Sequence, residues 1–115
     1  MTFDVEIVLR ERNVAVTERL QDLKDPEAWT DVDVEAVLKQ ILRAIDRAKN
    51  PGTTDQHVAL RGFSWIVEPT DSGVVIAIEI PTGAAVAGPF RIDQARLDGM
   101  ITRVLASARP KAVIH

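Results

Sequence analysis

Apolar and polar residues alternate in two parts of this chain, which is typical of β-strands. Every second residue from 3 to 9 is large and apolar: Phe3, Val5, Ile7 and Leu9. Residues 58–68 and 74–80 are rich in β-branched and aromatic side chains, and turn-forming residues separate them. The pattern predicts an antiparallel hairpin over about 57–81. A strand over about 3–9 joins it as a third strand, because two strands alone are marginal in water.

The register of the hairpin follows from gathering its large apolar side chains on one face. Pairing Val67 with Val74 and Trp65 with Ile76 achieves this, and we expect that face to be core. The opposite face then carries smaller or less apolar residues and one carboxylate: Leu60, Gly62, Ser64, Ile66, Val75, Ala77 and Glu79. Whether this second face meets solvent, a ligand or another protein is open at this point.

Two segments have the apolar spacing of amphipathic helices. Residues 31–49 follow a capping box formed by Thr30 and Asp33, with Trp29 placed to pack as a hydrophobic staple. Residues 93–108 begin at a capping Asp93 and end before a proline. We expect both helices to cover the core face of the sheet.

Two further segments are harder to assign. Residues 14–24 fit an extended strand or a helix that begins at Thr17, and we favour the helix. Residues 81–89 are small and bracketed by prolines, which predicts a loop. This loop either connects two elements across the end of the sheet or lets its bare backbone approach a ligand. The predicted fold is therefore one α+β domain, residues 1–115, with helices on one face of a small antiparallel sheet.

Composition and charge narrow the functional classes. The chain has no cysteine, a net charge of −3 and a sequence pI near 5.3, so no disulfide or cysteine-ligated metal is expected and nucleic-acid binding has little support. No apolar run reaches the roughly 20 residues of a membrane helix, and the beginning of the sequence does not resemble a signal peptide. We therefore expect a cytoplasmic protein that does not bind membranes. Acidic residues dominate the first third and basic residues the last 25, which suggests either docking between oppositely charged ends or two solvated helix surfaces.

Glu79 is the residue of greatest chemical interest, since it lies in an apolar strand and is expected to face Gly62. A carboxylate above small residues forms a shallow recess that suits a cationic ligand or an arginine from another chain. The alternative is an ordinary outward-facing glutamate on a solvated face. Arg96 and Arg103 on the last helix of a partner chain are the candidate counter-charges.

No catalytic residue, metal ligand or cofactor site can be assigned from the sequence. His57 and His115 have no partner at metal-ligand spacing. Gly99 lies inside the last helix, where glycine is unfavourable, so either another helix approaches closely there or the glycine is tolerated at the surface. The candidate ligand or interface residues are Arg61, Gly62, Ser64, Ala77, Glu79, Gly83 and Gly99.

These features favour a non-enzymatic interaction or adaptor module that forms homo-oligomers or binds another protein. The reasons are a second sheet face too apolar to be purely solvated, the opposite charge of the two ends, and a stripe of small residues on the last helix formed by Ala95, Gly99, Thr102 and Ala106. A binding protein for a small cationic or amphipathic molecule is the alternative, with its pocket rimmed by Arg61, Glu79 and residues 82–88. A small enzyme that uses His57 or Glu79 as a base is the third hypothesis.

Overall fold

Two helices pack on one face of a five-stranded antiparallel sheet, which confirms the predicted α+β class. The computed structural model describes residues 2–10, 14–21, 24–50 and 60–108. In chain order the elements are β1 (Thr2–Leu9), β2 (Val14–Gln21), a 3-10 turn (Pro26–Ala28), α1 (Asp31–Lys49), β3 (Ser64–Thr70), β4 (Gly73–Ile80), β5 (Gly83–Phe90) and α2 (Gln94–Ala108). The strands lie side by side in the order β2-β1-β5-β4-β3.

The core lies between the sheet and the two helices. The inward-facing residues of β1 are those that the alternation predicts, and each is at most 4% exposed. Phe90 at the end of β5 is fully buried, and its ring centroid lies 5.0 Å from the ring centroids of both Phe3 and Trp29. Aromatic rings at this separation and tilt attract each other, and this attraction adds to the stabilisation that comes from burying their surface. Phe90 therefore joins the first strand, the segment before α1 and the central strand.

The predicted helices are confirmed nearly to the residue. The Asp33 carboxylate accepts hydrogen bonds from the backbone N–H of Thr30 (2.8 Å) and from its hydroxyl (2.9 Å), which fixes the start of α1. Asp93 accepts a hydrogen bond from the backbone N–H of Arg96 (3.0 Å) at the start of α2. These contacts satisfy N–H groups that have no partner within a helix.

The predicted hairpin is present, but its register differs by two residues. Val67 pairs with Ile76 rather than with Val74, and β3 continues to Thr70, which pairs with Gly73 across a two-residue turn. A shift of two residues leaves every side chain on its predicted face. The hairpin begins at Ser64, so residues 60–63 precede β3, and residues 57–59 lie outside the described part of the chain. Leu60, expected on the second face, is buried.

Residues 14–21 form strand β2, so the favoured helix over 14–24 is wrong for these residues. All eight residues of β2 pair with β1, from Leu9 opposite Val14 to Thr2 opposite Gln21. On the inward side of β2 lies Glu18, which pairs with Arg47 of α1. This ion pair places a charge where the alternation of a half-buried strand calls for an apolar residue.

The prediction of a loop over the small residues 81–89 is also wrong, because residues 83–90 form β5, the central strand. β5 pairs with β1 on one side and with β4 on the other, so β1 reaches the hairpin only through β5. The pairing with β4 is irregular between Val74 and Ile76, opposite Gly88 and Pro89. A bulge is one of the few places in a sheet where proline is tolerated, because proline has no N–H to donate.

Candidate functional site

The sheet face opposite the helices is the main candidate surface in the described chain, because three of the four exposed large apolar side chains lie on it. We call it the open face. Neither described helix lies on it, and the pairing of the strands brings side chains from all five strands to it. Its residues are Thr2, Asp4, Glu6, Val8, Ala15, Thr17, Arg19, Gln21, Ser64, Ile66, Glu68, Val75, Ala77, Glu79, Ala84 and Val86.

An apolar patch occupies the middle and one side of the open face. Val8, Ile66 and Val86 are 47%, 53% and 41% exposed, and they are three of the four large apolar side chains that are exposed in the described residues. Ala77 pairs directly with both Ile66 and Val86, and Ala84 pairs with Val8, so the exposed groups are contiguous. We call these residues, with Val75, the apolar patch.

A depression of 280 Å³ lies within this patch. Ile66 and Val86 pair with Ala77 from the two neighbouring strands. The depression forms because the small side chain of Ala77 lies between these two larger ones. Ser64, Glu79 and Ala84 complete the part of its lining that belongs to the open face. The depression is therefore an apolar hollow with a carboxylate and a hydroxyl at one end, and we call it the Ala77 hollow.

Beside the hollow, Arg10 and Glu79 form an ion pair with 3.1 Å between Nη2 and Oε1. Arg10 is positioned by its backbone N–H, which donates to the carbonyl of Thr82 (3.0 Å). The pair borders a second, more open depression of 400 Å³, lined by Arg10, Gly62, Phe63, Ser64, Glu79, Ile80 and Pro81. Both side chains are well exposed, so the pair contributes little to the stability of the fold and leaves charge of both signs at the surface.

A second ion pair lies at the opposite corner of the open face. Arg19 of β2 donates from Nε to Oδ1 of Asp4 at 3.0 Å. This hydrogen bond, together with the negative charge of Asp4, raises the pKa of Arg19 above its ordinary value. The apolar patch is thus flanked by charge at both ends.

Three candidate residues from the sequence meet at the Ala77 hollow: Ser64, Ala77 and Glu79. Glu79 pairs with Ser64 rather than with Gly62, as the two-residue shift of register requires. Gly62 has a φ of +81°, a conformation that favours glycine, and lines the second depression. Arg61 is exposed next to it but does not line either depression.

The other two glycine candidates lie away from these depressions. Gly83 is buried at the start of β5, where a Cβ atom would lie 2.1 Å from the carbonyl oxygen of Val8, so it permits strand contact rather than ligand approach. Gly99 is on α2, and a Cβ atom there would meet only Nη1 of Arg103, at 3.4 Å. No other described helix of the chain comes within 4 Å of that position, so the described residues supply no packing reason for a glycine there.

Arg96 and Arg103, the candidate counter-charges of Glu79 from a partner chain, both bind residues of their own chain. Arg96 donates to the backbone carbonyls of Glu27 and Trp29. Arg103 donates from Nε and Nη2 to the carboxylate of Asp31, at 2.9 and 3.0 Å. The basic last helix thus contacts the beginning of α1 and the segment before it.

Sequence reasoning missed Val8 and Arg10 as residues of the site, and it placed Ala84 and Val86 only within a loop at the rim of a pocket. A signal for Val8 is present, since a valine on the polar side of an alternating strand indicates that this side is not fully solvated. Arg10, Ala84 and Val86 become part of the site only when β5 is placed between β1 and β4. That placement depends on pairing between residues that are 74 to 84 positions apart in the sequence, which local patterns do not report.

His57 and His115 lie outside the described residues. Among those that are described, no cluster of three His, Cys, Asp or Glu side chains has the arrangement of a metal site. Neither of the two described α-helices combines the length and hydropathy needed to cross a bilayer. Searches against family models, curated proteins and solved structures found no protein that matches this chain.

Proposed function

We propose that this protein is a non-enzymatic interaction module that self-associates through the open face of its sheet. The observation that carries the proposal is the apolar patch, in which Val8, Ile66 and Val86 stand 41–53% exposed around small residues on a face that no described helix covers. Burial of such a patch removes apolar surface from water at about 25 cal/mol per Å². Contiguous apolar surface rimmed by polar groups is typical of protein interaction sites.

A second copy of the chain is the partner that fits this face best. Its rim carries charge of both signs, Arg19 with Asp4 at one corner and Arg10 with Glu79 at another. Two copies of a face whose rim carries both signs can meet with unlike charges opposite each other. Two copies of a face with charges of one sign would repel. Most soluble oligomers are symmetric homo-oligomers, most often two-fold dimers.

The test is the solution mass of the protein, measured by size-exclusion chromatography with light scattering over a series of concentrations. We expect the wild type to form a dimer, and Ala77→Arg to dissociate it because the new guanidinium would stand in the middle of the patch. Ala36→Arg is the matched control, since it adds the same group to an exposed alanine of α1. The control should leave the dimer intact.

Thermal unfolding of both variants at low concentration checks that the monomer fold is unchanged. A wild type that is monomeric at every concentration would overturn the proposal. So would a dimer that Ala36→Arg and Ala77→Arg weaken equally.

A second candidate function is the binding of a small molecule that carries charge of both signs. The observation that favours it is the 400 Å³ depression in which Arg10 and Glu79 lie beside Phe63, Ile80 and Pro81. Volumes of roughly 300–1,000 Å³ are usual for ligand pockets. A thermal-shift screen of cationic, zwitterionic and amphipathic compounds tests it. Stabilisation that saturates and is lost in both Glu79→Gln and Arg10→Gln supports a pocket, and the absence of any such compound removes this candidate.

A further inference from the structure

We propose that the dimer is built by insertion of Val86 of each copy into the Ala77 hollow of the other, about a two-fold axis that runs parallel to the strands between β4 and β5. This arrangement rests on the proposed self-association through the open face. It adds the relative orientation of the two copies and the residues that determine it.

Sheet geometry limits the orientations to two. Sheets that pack face to face usually keep their strands within about 30° of each other. A two-fold axis between two such faces must then run nearly along the strands or nearly across them, because any other direction would cross the strands at a large angle. An axis across the strands through the row of Val86, Ala77 and Ile66 places Glu6 of the two copies directly opposite each other. Glu6 forms no ion pair with the described residues, so two Glu6 carboxylates opposed in an interface would repel with no described cation between them, which disfavours this orientation.

An axis along the strands, between β4 and β5, places the projecting side chains of one copy over the depressions of the other. Ala77 and Val86 are direct partners across these two strands, so the axis exchanges their positions. Val86 of one copy then lies over Ala77 of the other, between the side chains of Ile66 and Val86 that flank the hollow. Because the symmetry repeats the contact, two projecting side chains fill two hollows at once. Close packing of this kind is what distinguishes specific interfaces from incidental contacts.

The same axis brings β1 of one copy over β3 of the other, and this produces a charge match at the rim. Asp4 lies opposite Gly88, which faces Val75 at the bulge, and Val75 pairs with Glu68, so Glu68 of the second copy comes directly over Asp4, with Arg19 beside it on the neighbouring strand. Arg19 uses only its Nε in the hydrogen bond to Asp4, and its terminal amino groups make no hydrogen bond with the described residues. They are available to the second carboxylate, and an arginine shared by two carboxylates is a favourable planar arrangement.

The contact area is adequate for a reversible dimer. Four of the five strands overlap in this arrangement, which corresponds to a footprint of roughly 19 by 26 Å at the usual strand spacing and rise. Each copy would contribute about 500 Å², or about 1,000 Å² in total, which is the lower end of specific interfaces. The dimer should therefore dissociate on dilution.

The test exchanges the projecting residue and the hollow between chains. Val86→Ala removes the projection and Ala77→Val fills the hollow. We expect each variant alone to raise the dimer dissociation constant about tenfold or more, because two contacts are lost or blocked in each dimer. Mixing the two variants should restore association to within about threefold of the wild type, since each mixed dimer again has one valine over one alanine at both contacts. The double variant Ala77→Val/Val86→Ala, which keeps the side-chain composition of the patch, should self-associate like the wild type.

Exchange of charged residues at the rim gives a second, independent test of the orientation of the two copies. Arg19→Glu should weaken the homodimer about fivefold, because three carboxylates then meet at each rim contact; the change is modest because exposed charge pairs contribute little individually. A mixture of Arg19→Glu with Glu68→Arg should recover association, because each rim contact of the mixed dimer again has one arginine beside two carboxylates. Thermal unfolding of each variant at low concentration checks the monomer fold. If the wild type is a dimer and Ala77→Arg is a monomer, but neither mixture recovers association, the proposed orientation is wrong while the proposed function stands. A wild type that never dimerises overturns both.

Discussion

Arg103 of α2 and Asp31 at the start of α1 form a two-point contact, in which Nε and Nη2 donate to the two carboxylate oxygens at 2.9 and 3.0 Å. This hydrogen bonding is the main reason that the pKa of Asp31 lies below its ordinary value. The pKa of Asp33 is lowered as well, chiefly by the backbone N–H of Thr30. The start of α1 is therefore stabilised by two carboxylates that must remain ionised.

The sign of the resulting pH dependence follows from these lowered pKa values. A carboxylate whose pKa is lower in the folded state stabilises the fold above its unfolded-state pKa, and this stabilisation is lost as the pH falls through the folded-state pKa. We expect the unfolding temperature to fall as the pH drops below about 4. Asp31→Asn should reduce this dependence and leave the part that is due to Asp33. Asp98→Asn, which alters an exposed acid of α2, is the control, and an Asp31→Asn curve parallel to the wild type would contradict the assignment.

Arg96 should stabilise the fold through backbone carbonyls rather than through an ion pair. Its guanidinium donates to the carbonyls of Glu27 and Trp29, and the Trp29 side chain is buried against Phe90 of β5. We expect Arg96→Met to lower the free energy of unfolding by about 1 kcal/mol, because a charged donor is lost while much of the aliphatic stem is kept. Arg91→Met, at an exposed site just after β5, is the comparison. Chemical denaturation of both variants measures the difference, and equal losses would contradict the role of Arg96.

Gly83 should be among the least replaceable residues of the sheet. A Cβ atom there would lie 2.1 Å from the carbonyl oxygen of Val8 and 3.2 Å from Cα of Leu9, both of which belong to backbone that cannot move aside cheaply. Gly83→Ala should therefore separate β1 from β5 locally and cost about 2 kcal/mol or more. Far-ultraviolet circular dichroism with urea titration measures the loss. A stability equal to that of the wild type would contradict the close contact.

The elements that the sequence predicted well are those whose patterns are local. Thr30 and Asp33 define the start of α1 within four residues, and the inward residues of β1 follow a strict alternation. Strand β2 was missed because Glu18 interrupts its inward alternation. The compensating charge, Arg47, lies 29 residues away on another element, where no local pattern connects the two.

Strand β5 was missed for a different physical reason. Its residues are mostly small, and glycine, alanine and proline have low intrinsic strand propensity. They suit this position because β5 is the central strand under α1, where Ala85 and Ala87 are fully buried and leave room for larger side chains such as Ile7 and Ile76. Tertiary packing thus overrides propensity at the centre of the sheet.

The candidate site was predicted only in its hairpin half. Ser64, Ala77 and Glu79 could be placed on a common face because the strand period fixes the face even when the register is shifted by two. The other half depends on β1 and β5, and the position of Val86 beside Ala77 follows from the order of the strands. Loss of one strand from the predicted sheet therefore removed half of the patch.

A substitution of Gly99 tests whether another chain packs against α2 at this residue. A glycine inside a helix costs about 1 kcal/mol relative to alanine, and the added methyl group would meet only the flexible end of Arg103, at 3.4 Å. Gly99→Ala should therefore raise the free energy of unfolding by about 0.5–1 kcal/mol and leave the solution mass unchanged. Ala106→Gly, at an exposed position of the same helix, should produce the opposite change. If Gly99→Ala instead weakened self-association, another chain would have to approach α2 at this residue, and the interface would include the helical layer as well as the open face.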